Sequence, residues 1–168
     1  MSKRNRLIKA IKHPEWLLAV VFRRLSPFIK NDKFYLRILY FLEMKGKILH
    51  LENPRTFTEK LQWLKIYDYK PEYTQLVDKL AVKDYVASRI GKEYVIPTLA
   101  VWNCVEEIDW DSLPSQFVLK TTHGGGGCGV VVCTDKSKLD KETAIKKLRV
   151  SMHTNAGQIY REKPYLNV

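Results

Sequence analysis

Cysteine is scarce in this 168-residue chain. Cys104, Cys128 and Cys133 are odd in number and form no C-x-x-C pair, which argues against both a disulfide framework and a cysteine zinc site. That usage fits a reducing compartment, and the chain is expected to be cytoplasmic. Long apolar runs are missing as well. The longest, Trp16 to Phe22, falls far short of the ~20 residues that span a bilayer. It is bracketed by His13 and Arg23-Arg24 and no small-residue cleavage site follows it, so no secretory signal is read. His13, His50 and His153 have no acidic or cysteine partners at ligand spacing, and no metal or catalytic residue is assigned from them.

Acid is scarce in one region only. The net charge is +11, and residues 1–50 hold 12 Lys/Arg against 3 Asp/Glu, leaving the rest nearly balanced. A basic segment ahead of a near-neutral body suggests an arm that meets an anionic surface, membrane phospholipid or nucleic acid. No nucleic-acid-binding signature accompanies the charge, so nucleic acid is not expected as a partner and an anionic membrane surface is. Residues 5–49 read as two amphipathic helices separated by Pro27. Leu7, Ile8, Ile11, Leu17, Leu18 and Val21 lie in the first, and Tyr35, Leu36, Leu39 and Leu42 in the second. Aromatic residues beside Lys and Arg suit an interfacial helix as well as a small bundle.

Asn53-Pro54 breaks that pattern, and the expected division is a basic helical segment over 1–52 followed by a second part over 53–168. Thr56-Phe57-Thr58-Glu59 has the form of a capping box, opening a helix with Leu61, Leu64 and Ile66 on its buried side. A further helix is expected from about Thr74 to Ile90, with Leu76, Leu80 and Val86 on one side and Gly91 as a left-handed cap. On it Lys79 and Lys83 stand four apart and should point the same way. Tyr94 to Trp102 is rich in β-formers, and Gln116–Thr122 and Gly129–Thr134 read as short strands pairing antiparallel. Asp140 should cap a helix carrying Ala144, Ile145 and Leu148. No clear element is read from Gln158 to Val168.

Glycine is rare except at one place: five of the eight fall within positions 124–129, in FVLKTTHGGGGCGVVV. Ordering such a run is entropically expensive, and it is repaid where backbone must approach a ligand and offer N–H groups to an anion such as phosphate. A bare flexible hairpin tip would not explain the lysine beside it. Three phosphate motifs fail. No Gly-Lys-Ser/Thr follows for a Walker A loop; the dinucleotide G-x-G-x-x-G through Gly124, Gly126 and Gly129 should open a helix, and valines follow instead. The kinase pattern is matched through Val131, and Ala144-Ile145-Lys146 imitates its lysine strand, but that stretch is a capped helix and H-R-D and D-F-G are absent. What remains is a hairpin with Lys120 at the end of its first strand, closing over a nucleotide. Period-two geometry sets Val118 and Lys120 on one face and Phe117 and Leu119 on the other.

NPRTFTEKLQWLKIYD, YTQLVDKLAVKDYV, YVIPTLAVW and FVLKTTHGGGGCGVVV, in that order, resemble the TupA-like ATP-grasp proteins, named for teichuronopeptide synthesis and often encoded with surface-polysaccharide genes. The similarity covers roughly 53–168. It implies an α/β (α+β) architecture: a partial ATP-grasp fold of N-terminal helices followed by a small β-hairpin lobe with a glycine-rich loop. By the same resemblance Asp78-Lys79 and Lys120 match the family's phosphate-contacting lysines, with Gly124, Gly125, Gly126, Gly127 and Gly129 supplying backbone donors and His123 a further donor or a hinge residue. Family loops often include serine, whereas this one has Cys128 among its glycines, so its phosphate hydrogen bonds would come from backbone.

The resemblance implies ATP with Mg²⁺ and a reaction that phosphorylates a carboxylate and lets an amine displace the phosphate. The family's Mg²⁺ ligands lie in a second lobe beyond the hairpin. Metal ligands are therefore expected outside this chain, which alone is expected to be catalytically silent, its uncovered apolar faces favouring a partner that supplies the lobe. Two other readings compete. A glycosyltransferase of the same pathway would carry a D-x-D metal site, which Asp109-Trp110-Asp111 matches, though its place before Leu113-Pro114 reads better as a solvated turn. A non-enzymatic basic adaptor for membrane or nucleic acid would work through residues 1–50; in either case the basic segment would set the chain peripherally at the inner face of the membrane.

Overall fold

The structure is a computed structural model, described here for residues 14–154 and 156–168. Within these residues the chain is α+β, with helices accompanying a two-stranded antiparallel sheet. Two compact units emerge: one runs to Lys70 and takes in Gly157–Lys163, and the other comprises Pro71–Ala156 and Pro164–Val168. This division falls later in the chain than the change of composition at 52/53.

The first unit begins with α1 (Pro14–Arg24), α2 (Asp32–Glu43) and α3 (Phe57–Tyr67). Asn31 starts α2, its side chain accepting the Phe34 N–H at 3.0 Å. The core joins Tyr35, Leu36, Leu39 and Tyr40 of α2 to Ala19, Leu49 and Leu51, with Leu42 at its margin. Here α1 departs from expectation: it buries Ala19, while Leu17, Leu18 and Val21 face outward. A small residue lets α1 approach α2 closely, and Phe22 stacks on Tyr35 with ring centroids 5.1 Å apart. Leu7, Ile8 and Ile11 lie outside the described residues.

The capping box forms at α3. Thr56 accepts the Glu59 N–H at 3.3 Å, and the Glu59 carboxylate accepts N–H groups from Thr56 (2.9 Å), Arg55 (3.0 Å) and His50 (3.3 Å). These donors, the Thr56 backbone first, hold the Glu59 carboxyl down to about 2. Glu59 and Ile66 are seven apart and share the inward face, so Leu61 and Leu64 are exposed rather than buried as expected. Another correction concerns the tail, where α7 (Ala156–Tyr160) and a 3₁₀ turn (Lys163–Asn167) replace the irregular segment expected. Polar pins hold this return in the first unit. Arg161, at φ +57°, donates to the carbonyls of Ser26 (3.0 Å), Ile29 (2.5 Å) and Gln158 (2.6 Å), pairs with Asp32 at 2.9 Å and lies 4.2 Å over the Tyr35 ring. Apolar periodicity cannot register such attachments.

In the second unit the single helix expected from Thr74 to Ile90 is two: α4 (Tyr73–Val77) and α5 (Ala81–Ile90). Asp78 breaks it. Its backbone is extended, and its carboxylate accepts the N–H groups of Leu80 (2.7 Å) and Ala81 (3.1 Å), so it restarts the helix as a cap would. Leu76 and Leu80 are consequently exposed. α5 stops at Gly91 as expected, but with φ 109° and ψ 150°, outside the left-handed helical region. Tyr94 to Trp102 forms no strand. Pro97 removes a ladder donor and the segment is held instead by Lys83, whose ammonium donates to Ile96 O and Thr98 Oγ1, both at 2.7 Å.

The hairpin forms, with shorter strands than expected: β1 (Phe117–Lys120) pairs antiparallel with β2 (Val130–Cys133), Phe117 opposite Cys133 and Lys120 opposite Val130. Phe117 and Leu119 face a core of Val105, Ile108, Leu113, Val131, Cys133, Ala144 and Leu148, and Val118 and Lys120 face away. α6 (Lys141–Met152) closes that core, started by Asp140, which accepts the Thr143 N–H at 3.0 Å.

Candidate phosphate-binding site

Lys120 ends β1 on its exposed face, with Thr121, Thr122 and His123 between it and the glycine tract. Lys79 reaches the same place from the break between α4 and α5. Its N–H donates to Thr122 O at 3.1 Å, and its ammonium donates to Thr122 O at 3.1 Å and to Gly124 O at close range. The Asp78 break makes this possible by taking Lys79 off the helix, so the expectation that Lys79 and Lys83 point together is corrected. Burial first, then the charge of Lys120, pushes the Lys79 ammonium below its ordinary value, and Asp78 opposes them. Two cations that repel across one loop make a site whose energy an anion lowers.

The glycines divide by environment. Side chains at Gly124 and Gly129 would collide with Thr121 Oγ1 and Ser151, whereas Gly125, Gly126 and Gly127 face open space. Gly126 (φ 58°), Gly127 (φ 76°) and Gly129 (φ 68°) take the conformation that glycine adopts without strain. The tip turns on a bond from Cys128 N–H to Gly125 O at 2.9 Å, and the feet close through Thr121 N–H to Gly129 O at 3.1 Å. None of the backbone hydrogen bonds among the described residues is donated by Gly125, Gly126 or Gly127. Their N–H groups, on a loop that Lys79 contacts at Gly124 and that follows Lys120, suit an oxyanion.

The feet are anchored from α6. Ser151, 1% exposed, exchanges a hydrogen bond with Thr121 at 2.8 Å between hydroxyl oxygens, and His123 donates from Nε2 to the Ser151 carbonyl at 2.9 Å. The structure thus brings Lys79, Lys120, His123 and the five glycines together, and it adds Asp78, Thr121 and Ser151. The Asp before Lys79 carried a signal for the break. Ser151, a polar residue in the last turn of an ordinary helix, carried none. Asp109, the other acidic candidate, spends its carboxylate on the N–H groups of Asp111 (3.1 Å) and Ser112 (3.3 Å), so the D-x-D is a hydrogen-bonded turn. Among the described residues no group of three His, Cys, Asp or Glu is placed to hold a metal.

Compared with protein-family models, residues 59–168 match the one described as TupA-like ATPgrasp, which spans well over half of the chain and includes both lysines and the whole glycine tract. No curated protein and no solved structure matches.

Proposed function

Because the chain belongs to the TupA-like ATP-grasp family, we propose that its second unit grips the triphosphate of ATP for a carboxylate–amine ligase acting in surface-polysaccharide biosynthesis. The observation that carries this reading is Lys79 held against the glycine loop through Gly124 O and repelled by Lys120, beside Gly125, Gly126 and Gly127, which donate no backbone hydrogen bond among the described residues. In such a reaction a substrate carboxylate oxygen bonds to the γ-phosphorus as the bond to the ADP oxygen breaks. An amine then attacks the acyl carbon, phosphate leaves, and the amine loses a proton as the amide forms. Lys120 and the tip would bear the charge that develops on the transferring phosphoryl oxygens, in a site fixed before the reaction begins.

Mg²⁺ would neutralise further charge, but the described residues do not offer it a ligand cluster. Calorimetry with ATP tests the reading. Lys120→Ala is expected to weaken binding by about 1.5–3 kcal/mol, the range for hydrogen bonds to charged groups; equal affinity for both chains would contradict it.

A further inference from the structure

We infer that the outward face of α1 and α2 is a docking surface for an anionic phospholipid bilayer. The inference is independent of the ATP site. α1 is apolar on two sides: inward through Ala19 and Phe22, and outward through Leu17, Leu18 and Val21. Leu17, Val21 and Arg24 follow at spacings of four and three, so the outward stripe ends in a cation. Leu25 continues the exposed apolar surface after the helix, and Phe28 is 80% exposed.

On α2 the inward residues are Tyr35, Leu36, Leu39 and Tyr40, while Phe34 and Phe41, two turns apart, are exposed. The two stripes meet: Leu18 and Phe41 line one open groove together with Leu42 and Lys45, Glu15 being its one acid. A water-soluble helix pair would carry polar side chains on such a face. Exposed aromatic and aliphatic residues beside cations are the composition of a helix lying in a membrane interface.

Charge selects the kind of surface. Of the acids of this helix pair, Asp32 is engaged by Arg161 and Glu43 by Arg23 at 3.6 Å, Glu15 is not free either, and Arg37 pairs with Glu52. Arg24, Lys30, Lys45 and Lys47 are exposed and have no ion-pair partner among the described residues. Four exposed cations on and next to the two helices, Lys45 lining the groove itself, complement phosphate headgroups above an acyl boundary. No described helix is long and apolar enough to cross a membrane.

Flotation of the full chain with vesicles tests this. Binding is expected to mixed phosphatidylcholine–phosphatidylglycerol vesicles, to weaken as salt rises, and to fail on pure phosphatidylcholine. The triple variant Lys30→Gln, Lys45→Gln, Lys47→Gln is expected to lose about a hundredfold in partitioning, roughly fivefold for each cation removed. A second triple variant, Leu18→Ser, Phe28→Ser, Phe41→Ser, is expected to lose at least about tenfold through lost apolar contact. Both change exposed side chains, and an unaltered circular dichroism melt shows that the fold survives. Equal binding to neutral and anionic vesicles would overturn the inference. So would an absence of vesicle binding together with self-association that the serine variant abolishes, which would give the face to a second copy of the chain.

Discussion

The two units each bring charged side chains to irregular backbone, and they differ in whether that charge is used up. In the first, Arg161 meets three carbonyls, a carboxylate and an aromatic face, and Glu59 takes three backbone N–H groups and the Thr56 hydroxyl at 3.0 Å. In the second, Lys79 is partly used by the loop, Lys120 is exposed, and the N–H groups of Gly125, Gly126 and Gly127 donate no backbone hydrogen bond among the described residues. Charge engaged by its own chain holds architecture in place. Charge and donors left over, on a backbone shaped to present them, mark where something else binds.

The comparison can be broken most severely at Arg161. Arg161→Leu would leave Asp32 and three carbonyls without their partner, and it is expected to cost about 3–5 kcal/mol, the range for breaking a buried pair. Urea unfolding followed by circular dichroism measures this, and a loss under about 1 kcal/mol would mean the pin is surplus to the fold. At the feet of the loop, Gly129→Ala combines a left-handed conformation with a side chain driven into Ser151 and Thr121, and about 2–4 kcal/mol is expected in the same assay.

A sharper contrast lies in the tip, where Gly126→Ala meets open space at φ 58°. It should cost only about 1 kcal/mol of stability while still weakening ATP binding, since the methyl group stands where a phosphate would approach. A Gly126→Ala chain that binds ATP as well as the parent would place the ligand elsewhere.

The smallest effect is confined to acid. The Glu59 carboxyl, at about 2 in the fold against 4.5 unfolded, stabilises the fold above the unfolded value, and the contribution fades as pH falls from about 4.5 toward 2. Comparing unfolding at neutral pH and at pH about 3, the parent should lose more stability than Glu59→Gln; equal losses would show that the carboxylate's bonds do not matter to folding.

How far the sequence could be read follows from the same distinction. Patterns carried by local chemistry were legible: the capping box at Thr56, the Asp140 cap, the alternation that sorts Phe117 and Leu119 from Val118 and Lys120, and the lysine and glycines of the hairpin. Features that depend on a polar partner outside the apolar pattern were not. The inward face of α3 follows Glu59 and its bonds to the preceding loop, so Leu61 and Leu64 misled. Tyr94 to Trp102 has strand composition, yet Pro97 and the Lys83 ammonium decide its path. Arg161 and Ser151 are polar residues whose partners lie far away in sequence. Lys79 was legible as a phosphate candidate from the resemblance, but its route to the loop depended on Asp78 competing with the helix.

The central claim, that leftover donors at the glycine tip and the two lysines form one polyphosphate site, is tested most directly by titrating ATP into the ¹⁵N-labelled chain. The account expects the largest amide shifts at Gly125, Gly126 and Gly127, with smaller ones at Lys79 and Lys120, reproduced by tripolyphosphate and absent with adenosine. ATP that leaves those three glycine amides unmoved, or shifts them no more than adenosine does, would contradict it.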